Sequence, residues 1–302
     1  MPSAANRPVF DSATGVLTWA GPLGGGPSNG TYAQQARTLA TYNGDMTTTS
    51  DGQVIEGLNI VGTLTIAHNN VTVRQCRIVY PTANSADTNQ IFQKAGTVGL
   101  VVEDNALDGN AVLGNGGTGN ISGDNFAVSD AIIRRNNMYN SEQGVRFVLN
   151  RLSITENFFH DPGGTDADQI EIYPVGGVCD NLVIQYNYFT GPDNSQGGYN
   201  SGVNLSTAAG LPPGTIGPHI TIDTNWFVNC PTVHAVNDDA SGGGSLAFSF
   251  THNGIFNAGG GYGSSTLFGS NDGTISPDTG NYIMPTPTST SGSLYNGTGL
   301  LY

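Results

Sequence analysis

The sequence has few charged residues, and basic residues are the scarcest of them. Charged residues make up 11% of the 302 residues, with 9 Lys and Arg against 23 Asp and Glu, which gives a formal net charge of −14. Nucleic acids and anionic membranes bind to basic surfaces, so we expect neither class of partner. The same charge disfavours an acidic polysaccharide unless a cation such as Ca²⁺ lies between the two molecules.

Cysteine is also scarce, and long apolar runs are lacking. The three cysteines, Cys76, Cys179 and Cys230, fit no zinc-binding spacing, so we expect small buried core residues, with a Cys179–Cys230 disulfide as the alternative. No run approaches the ~20 apolar residues of a membrane span. The first residues, MPSAANRPVFDSATGVLTW, have no apolar h-region and do not predict a secretory signal.

Glycine, in contrast, is abundant. The chain contains 44 Gly and 15 Pro. Because Gly costs about 1 kcal/mol in the interior of a helix, this composition disfavours long helices. It favours many short strands joined by turns.

A motif built around one Asn recurs along the chain. Each copy has two alternating apolar positions, two mostly polar residues, the Asn, any residue and an apolar residue, as in NLVIQYNYF at 181–189. The alternation predicts strands, and self-similarity at a period of this size predicts a repeat architecture. The copies place the following residues at the Asn position: Cys76, Asn105, Asn136, Asn157, Asn187, Asn225 and Asn253.

The motif predicts an all-β fold, a right-handed parallel β-helix in which coils stack at ~4.8 Å. Asn tolerates the left-handed backbone of a corner, and stacked Asn side chains can hydrogen-bond from coil to coil. The alternative is a β-sandwich with seven unrelated turns, which the repeated flanking residues disfavour.

Composition divides the chain into three parts. We assign residues 1–50 to an N-terminal cap, with a predicted short helix in TYAQQARTL at 31–39, and residues 51–257 to the β-helix. An open solenoid end exposes unpaired backbone and needs such a cover. Residues 258–302 form an extended tail rich in Gly, Ser and Thr, and two interpretations remain open for it. One is a flexible segment, and the other is a segment that packs on neighbouring chains in an oligomer.

The seven Asn segments and the stretch GQVIEGLNIVGTLTIAHNNVTVRQCRI at 52–78 resemble the right-handed parallel β-helix proteins of the pectate-lyase-like group. The resemblance covers roughly residues 50–257. That group includes polysaccharide lyases, glycoside hydrolases, epimerases and phage tailspikes, so the resemblance implies work on polysaccharides. The arginine-centred signature of pectate lyases is not evident in this chain.

A second strand lies between consecutive Asn segments, and these strands align into columns. Stacking EQGVRFV, DQIEIYP, SGVNLST and TVHAVND gives an inward apolar column of Val145, Ile170, Val203 and Val233. The next residue of each strand points outward. The outward column is therefore Arg146, Glu171, Asn204 and His234, and neighbouring columns add Gln169 and Tyr173.

Such a row presents one polar group per ~4.8 Å, which suits the regularly spaced hydroxyls of an extended glycan. The turn before Glu171 adds Asp161, Asp166 and Asp168, and these four carboxylates form the densest acidic cluster in the sequence. Paired carboxylates suit glycoside hydrolysis, and crowding raises the pKa of one of them. We therefore predict that catalysis is carried by Asp166, Asp168, Glu171 and His234. Substrate binding is predicted for Arg146, Gln169, Tyr173 and Asn204, with Tyr188 and Trp226 as exposed rings that stack on sugars.

Plainer interpretations exist for the same residues. Glu171 and Arg146 can form a cross-strand ion pair, Asp166 and Asp168 can shape a turn, and His234 can be an ordinary surface residue. A Ca²⁺ site at Asp161, Asp166 and Asp168 is a further alternative, because oxygen ligands suit Ca²⁺. No other metal and no organic cofactor is predicted.

The predicted function is recognition, and in part cleavage, of a bacterial surface polysaccharide by a tailspike or other virion-surface protein. We expect a homotrimer or an assembly with other virion proteins, located in a virion or outside the cell. One alternative is a secreted polysaccharide hydrolase or lyase, with the hydrolase favoured because the chain is poor in Lys and Arg. The other alternative is a purely structural decoration protein.

Overall fold

Every regular element in the described part of the chain is a β-strand. The computed structural model describes residues 8–11, 16–19, 27–28, 31–32, 39–80, 89–110, 119–123, 129–147, 150–162, 167–172, 178–191, 201–206, 215–216, 219–230, 232–237, 246–256, 268–269, 273–283 and 293–294. Within these ranges there is no helix, and hence none with the length and hydropathy needed to cross a bilayer. Thr31–Tyr32 is a strand, and residues 33–38 of the predicted cap helix lie outside the described residues.

Three long sheets run along the molecule, and successive coils contribute parallel strands to each. Sheet 1 holds the strands that precede each Asn corner: Val54–Glu56, Thr72–Arg74, Val101–Glu103, Ser129–Arg134, Asn150–Thr155, Leu182–Gln185, Ile220–Asp223, Leu246–Thr251 and Gly273–Thr279, with Val178–Cys179 and Thr215–Ile216 at one edge. Sheet 2 holds the strands that follow the corner: Ala40–Asn43, Leu58–Val61, Arg77–Val79, Ala106–Asp108, Asn137–Tyr139, Phe158–His160, Tyr188–Thr190, Trp226–Val228, Gly254–Phe256 and Tyr282–Ile283, closed by antiparallel Ser293–Leu294. Sheet 3 holds Met46–Thr47, Leu64–Ile66, Asn89–Gln93, Gly119–Gly123, Gln143–Phe147, Ile170–Ile172, Ser201–Ser206, Thr232–Asn237 and Phe268–Gly269.

Two short antiparallel pairs precede the sheets. Pro8–Asp11 pairs with Val16–Trp19, and Pro27–Ser28 pairs with Thr31–Tyr32. The parallel pairing itself begins at Ala40, within the range assigned to the cap, because Ala40–Asn43 pairs with Leu58–Val61. The predicted all-β parallel β-helix is confirmed.

The core is the column of side chains that point into the coil. In the strand Leu182–Gln185, Leu182 and Ile184 are buried while Val183 and Gln185 are only half-buried, as a period of two requires. The same inward positions recur one coil away, so like side chains stack on like. Phe159, Phe189 and Phe227 stack face to face with ring centroids 4.9 and 4.8 Å apart. Burial of these apolar columns supplies the main stabilisation of the fold.

The Asn residues form a continuous ladder inside the corner between sheets 1 and 2. The side-chain carbonyl of Asn187 accepts hydrogen bonds from the backbone N–H of Asn157 at 2.9 Å and from its side-chain amide at 3.0 Å. The amide of Asn187 donates to the carbonyl of Ile154 at 2.8 Å and to Oδ1 of Asn225 at 3.0 Å. The pattern repeats at each Asn from 105 to 253, and every member is fully buried, so the predicted coil-to-coil bonding is confirmed.

The ladder is one coil longer than the sequence motif indicated. Asn281 accepts from the N–H of Asn253 at 2.8 Å and donates to Phe250 O at 2.8 Å. The strands Gly273–Thr279 and Tyr282–Ile283, both within the range assigned to the tail, continue sheets 1 and 2. At the other end Cys76 replaces Asn, and only its backbone N–H bonds to Asn105 Oδ1.

The reason that we gave for Asn at the corner is wrong in one respect. The left-handed backbone belongs to the residue before each ladder position, as in Tyr186 with φ 58° and Thr224 with φ 54°. In the last coil, Gly280 occupies the position before the ladder residue and has a φ of 73°. Asn is required for its amide, which satisfies buried backbone groups on two coils, while its neighbour makes the turn.

All three cysteines are buried and none is in a disulfide. Cys76 and Cys230 sit in the main apolar core, as does Cys179. Burial raises the pKa of the Cys179 thiol to about 12. The prediction of small buried core residues is confirmed.

We expect Asn187→Ala to lower the free energy of unfolding by about 3–5 kcal/mol, because it leaves donors of Asn157 and the carbonyl of Ile154 buried without partners. Thr221→Ala, at a half-buried position on the outer face of sheet 1, should cost less than about 1 kcal/mol. Urea unfolding of both variants measures the difference. Equal losses would show that the ladder adds nothing beyond ordinary strand packing.

Candidate functional site

The outer face of sheet 3 carries the predicted polar row. Arg146 pairs with Glu171, and Glu171 pairs with Asn204, in consecutive coils. The inward neighbours Val145, Ile170 and Val203 are fully buried. Three of the four predicted outward positions therefore stand in one column, with Ser122 adjoining Arg146 in the preceding coil.

The prediction that His234 is the fourth member of this column is wrong. His234 pairs with Val203, and Ala235 pairs with Asn204. The strand Thr232–Asn237 is therefore displaced by one residue from our alignment on Val233. Because a one-residue slip exchanges the two faces of a strand, the backbone of His234 occupies the inward column. The alternating segment VHAV is compatible with either register, so the sequence did not decide between them.

Arg146 and Glu171 form an ion pair across adjacent coils. The distance from Arg146 Nε to Glu171 Oε2 is 3.1 Å, and the side chains are 37% and 3% exposed. Glu171 is thus almost covered while the guanidinium reaches the solvent. The cross-strand ion pair that we gave as an alternative is present, with the carboxylate as its buried partner.

Asp168 is held by donors of the next coil. Its Oδ1 accepts from the N–H of Ser201 at 3.1 Å and from the Ser201 hydroxyl, and its Oδ2 accepts from Nδ2 of Asn204 at 2.6 Å. The residue is 2% exposed. Asn204 therefore donates its amide to Asp168 and is the partner of Glu171 in the sheet.

Some buried acceptor atoms at this place have no hydrogen-bond partner. Gln169 donates through Nε2 to Thr190 O, but its Oε1 is buried and unbonded, and so is Oδ1 of Asn204. Gln169 as a whole is 3% exposed. Unbonded buried acceptors are costly in a folded protein and mark a place where a donor from a ligand would be favourable.

Two predicted site residues, Asp166 and Tyr173, lie outside the described residues. Asp161 is described, and its carboxylate bonds to His160 rather than to Asp168. Among the described residues no three His, Cys, Asp or Glu side chains come together in a way that would hold a metal ion. The Ca²⁺ alternative includes Asp166 and remains a prediction.

The prediction of exposed sugar-stacking rings is wrong. Tyr188 and Trp226 do share a column on the outer face of sheet 2, but they are 2% and 4% exposed. With Phe158 and Val228 they form a second apolar cluster, separate from the main core. Burial also raises the pKa of Tyr188. Large rings on a sheet face gain more from being covered than from solvent contact, and the sequence of one strand does not show what covers it.

Sequence reasoning overlooked a polar cluster around His160, also on the outer face of sheet 2. The His160 ring is 5% exposed and stacks on Tyr139 and Phe158 at centroid distances of 4.9 and 4.4 Å. Its Nδ1 lies 2.7 Å from Asp161 Oδ2, and its Nε2 lies 2.8 Å from Asn137 Oδ1. The signal was available, because His160 follows Phe159 of the Asn motif and must point away from the core.

The cluster perturbs two titratable groups. The hydrogen bond from His160 holds the pKa of the Asp161 carboxyl below its usual value. Burial, with the nearby charge of Asp108, raises the pKa of Tyr139 to about 12. Asp108 in turn accepts from Arg77 at 3.2 Å and from the Asn140 amide at 3.0 Å.

Comparison with known proteins adds no identification. No model of a known protein family matches the chain, and no curated protein matches it.

We expect Arg146→Met to destabilise the protein by about 3–5 kcal/mol, because it leaves the covered carboxylate of Glu171 without its cation. The double variant Arg146→Met/Glu171→Gln should recover at least about 1 kcal/mol of that loss. Urea unfolding of the wild type, Arg146→Met, Glu171→Gln and the double variant completes this double-mutant cycle. A strictly additive double variant would mean that the ion pair has no energetic coupling.

Proposed function

We propose that this chain recognises a polysaccharide through the outer face of sheet 3. One observation supports this most directly: the guanidinium of Arg146 reaches the solvent and is held in place by a covered carboxylate. Arg146 is held by Glu171, and the Asn204 amide is held by Asp168. Polar groups fixed in this way lose little entropy when they bind a ligand.

The spacing of the face suits an extended glycan. Ser122, Arg146, Glu171 and Asn204 follow one another along the column, each one strand apart, which corresponds to steps of ~4.8 Å. Hydroxyl groups both donate and accept hydrogen bonds. They can therefore accept hydrogen bonds from the exposed guanidinium of Arg146.

Hydrolysis of the bound glycan is the second candidate. It is favoured by two covered carboxylates next to Asn204, since Asp168 accepts from its amide and Glu171 pairs with it in the sheet. Glycosidases use two carboxyl groups on either side of the scissile bond. Both carboxylates are covered, so they stabilise the binding face as it stands. Catalysis requires that the substrate reach one of them.

The resemblance to pectate-lyase-like β-helix proteins and phage tailspikes suggests the setting. We propose a bacterial surface polysaccharide as the ligand and a virion or the extracellular space as the location. A trimer is the assembly proposed for this setting. Sedimentation equilibrium of the full chain should give three times the 31.3 kDa mass of the monomer, and a monomer mass would contradict the trimer while leaving glycan binding untouched.

A panel of bacterial surface polysaccharides tests the proposed function. We expect at least one to bind the wild-type protein, and Asn204→Ala to weaken that binding about tenfold or more, because the substitution removes a half-buried polar side chain from the row and leaves Asp168 without the Asn204 amide. Thr221→Ala, on the outer face of sheet 1, is the matched control and should bind as the wild type does. Calorimetry or surface plasmon resonance measures both.

Cleavage is measured on the same panel as the release of reducing sugar ends. If the wild-type protein releases them, Glu171→Gln should release none and should still bind the polysaccharide, because the amide oxygen of Gln can accept from Arg146 in place of the carboxylate. Binding without release would restrict the function to recognition. A folded protein that binds nothing on a broad panel would overturn the proposal and favour a structural role.

A further inference from the structure

The peptide bond between Asp161 and Pro162 lies in an unusual setting, and it does not belong to the proposed glycan face. It is the single Asp–Pro pair in the sequence. It follows directly on the sheet 2 strand Phe158–His160. Asp–Pro bonds are the most acid-labile peptide bonds, because the Asp carboxylate can attack its own carbonyl and the proline nitrogen is a good proton acceptor.

The backbone of Asp161 is strained. Its φ is 46°, in the left-handed region. A residue that precedes proline is normally restricted to extended conformations, so this position combines two unfavourable features. Asn110, Asn140 and Asn229 have similar φ values of 54–57° after the equivalent strands of other coils. Asn tolerates this conformation, and none of these three precedes proline.

The carboxylate of Asp161 is available as a nucleophile. Its side chain is 63% exposed, and Oδ2 is anchored on His160 Nδ1 at 2.7 Å, which leaves Oδ1 without a described partner. The hydrogen bond from His160 keeps the pKa of this carboxyl low, so it stays ionised in mild acid. The nearest titratable groups are His160 and Tyr139, which stacks on the His160 ring from the preceding coil. Asp108 lies one coil beyond Tyr139, and Arg77, its ion-pair partner, lies one coil beyond Asp108.

The scissile carbonyl is polarised. The carbonyl oxygen of Asp161 accepts a hydrogen bond from the backbone N–H of Asn140 at 3.1 Å. The neighbouring coil supplies this donor, so it is fixed before any reaction. A fixed donor on a carbonyl stabilises the negative charge that develops when the carbon is attacked.

We propose that the Asp161–Pro162 bond is a self-cleavage site. Oδ1 of the Asp161 carboxylate attacks the main-chain carbonyl carbon of the same residue, and a five-membered cyclic anhydride forms as the bond from that carbon to the Pro162 nitrogen breaks. The nitrogen takes a proton from the solvent and leaves as a secondary amine. One water then opens the anhydride and gives the side-chain and terminal carboxyl groups of Asp161.

The two fragments stay together after the cut. Residues 1–161 and 162–302 share all three sheets, and the ladder bonds from Asn157 to Asn187 cross the division. The new amino terminus begins the segment that leads to Asp168, which holds Ser201 and Asn204. Cleavage is therefore expected to leave the solenoid folded.

Incubation of the folded wild-type chain at about pH 5, where an ordinary carboxyl group is ionised, tests the proposal. Denaturing mass spectrometry should show fragments 1–161 and 162–302. Cleavage in the folded chain should be about tenfold or more faster than in the urea-unfolded chain at the same pH, because only the folded chain has the strain, the Asn140 donor and the His160 contact. An equal or slower rate in the folded chain overturns the proposal.

Two variants identify the chemistry. Asp161→Asn removes the carboxylate and keeps a residue suited to left-handed backbone, and Pro162→Ala keeps the carboxylate but makes the leaving nitrogen an ordinary amide. Both should lose at least about tenfold in cleavage rate while their melting temperatures confirm that they fold. Undiminished cleavage in Asp161→Asn would point to a contaminating protease and would also overturn the proposal.

Discussion

The structure depends on one buried interaction, the side-chain amide of Asn bridging two coils. Each Asn of the ladder bonds to the backbone N–H of the ladder residue one coil earlier. It also bonds to a carbonyl in the strand that leads to that residue, as Asn187 does with Asn157 and Ile154. An apolar residue at this corner would leave those groups buried and unbonded, at a cost larger than that of most single substitutions. The ladder therefore sets the register of sheets 1 and 2, and sheet 3 follows from the lengths of the remaining turns.

The parts of the fold that rest on this interaction were predictable from the sequence. Seven aligned Asn segments indicated the sheets, the inward columns and the coil-to-coil bonding. The same argument predicts Asn281 as a ladder residue, because it is 28 residues after Asn253 and precedes Tyr282 and Ile283. The Gly-rich composition around it led us to assign the segment to a tail instead. The turn itself was assigned to the wrong residue, since the amide of Asn and the left-handed backbone of Tyr186 occupy adjacent positions.

The candidate site was less predictable, and the reason is physical. Arg146, Glu171 and Asn204 aligned correctly because their strands have unambiguous apolar neighbours. His234 did not, because VHAV offers two registers of similar quality. Burial on an outer face is a tertiary property, so nothing local indicates that Tyr188 and Trp226 are covered or that Asp168 finds Ser201. The His160 cluster is of the same kind, because Asn137 and Asp161 meet the ring only once the coils are stacked.

From the strand Thr72–Arg74 onward, the corner between sheets 1 and 2 has the same length, whatever the length of the coil. Two residues separate the strands at Asp104–Asn105, at Tyr186–Asn187 and at Gly280–Asn281 alike, while ladder neighbours are from 21 to 38 residues apart in sequence. The differences in coil length therefore lie in the remainder of each coil, outside this corner. A solenoid of this design accommodates coils of unequal length while the ladder and the stacked phenylalanines keep one residue per coil.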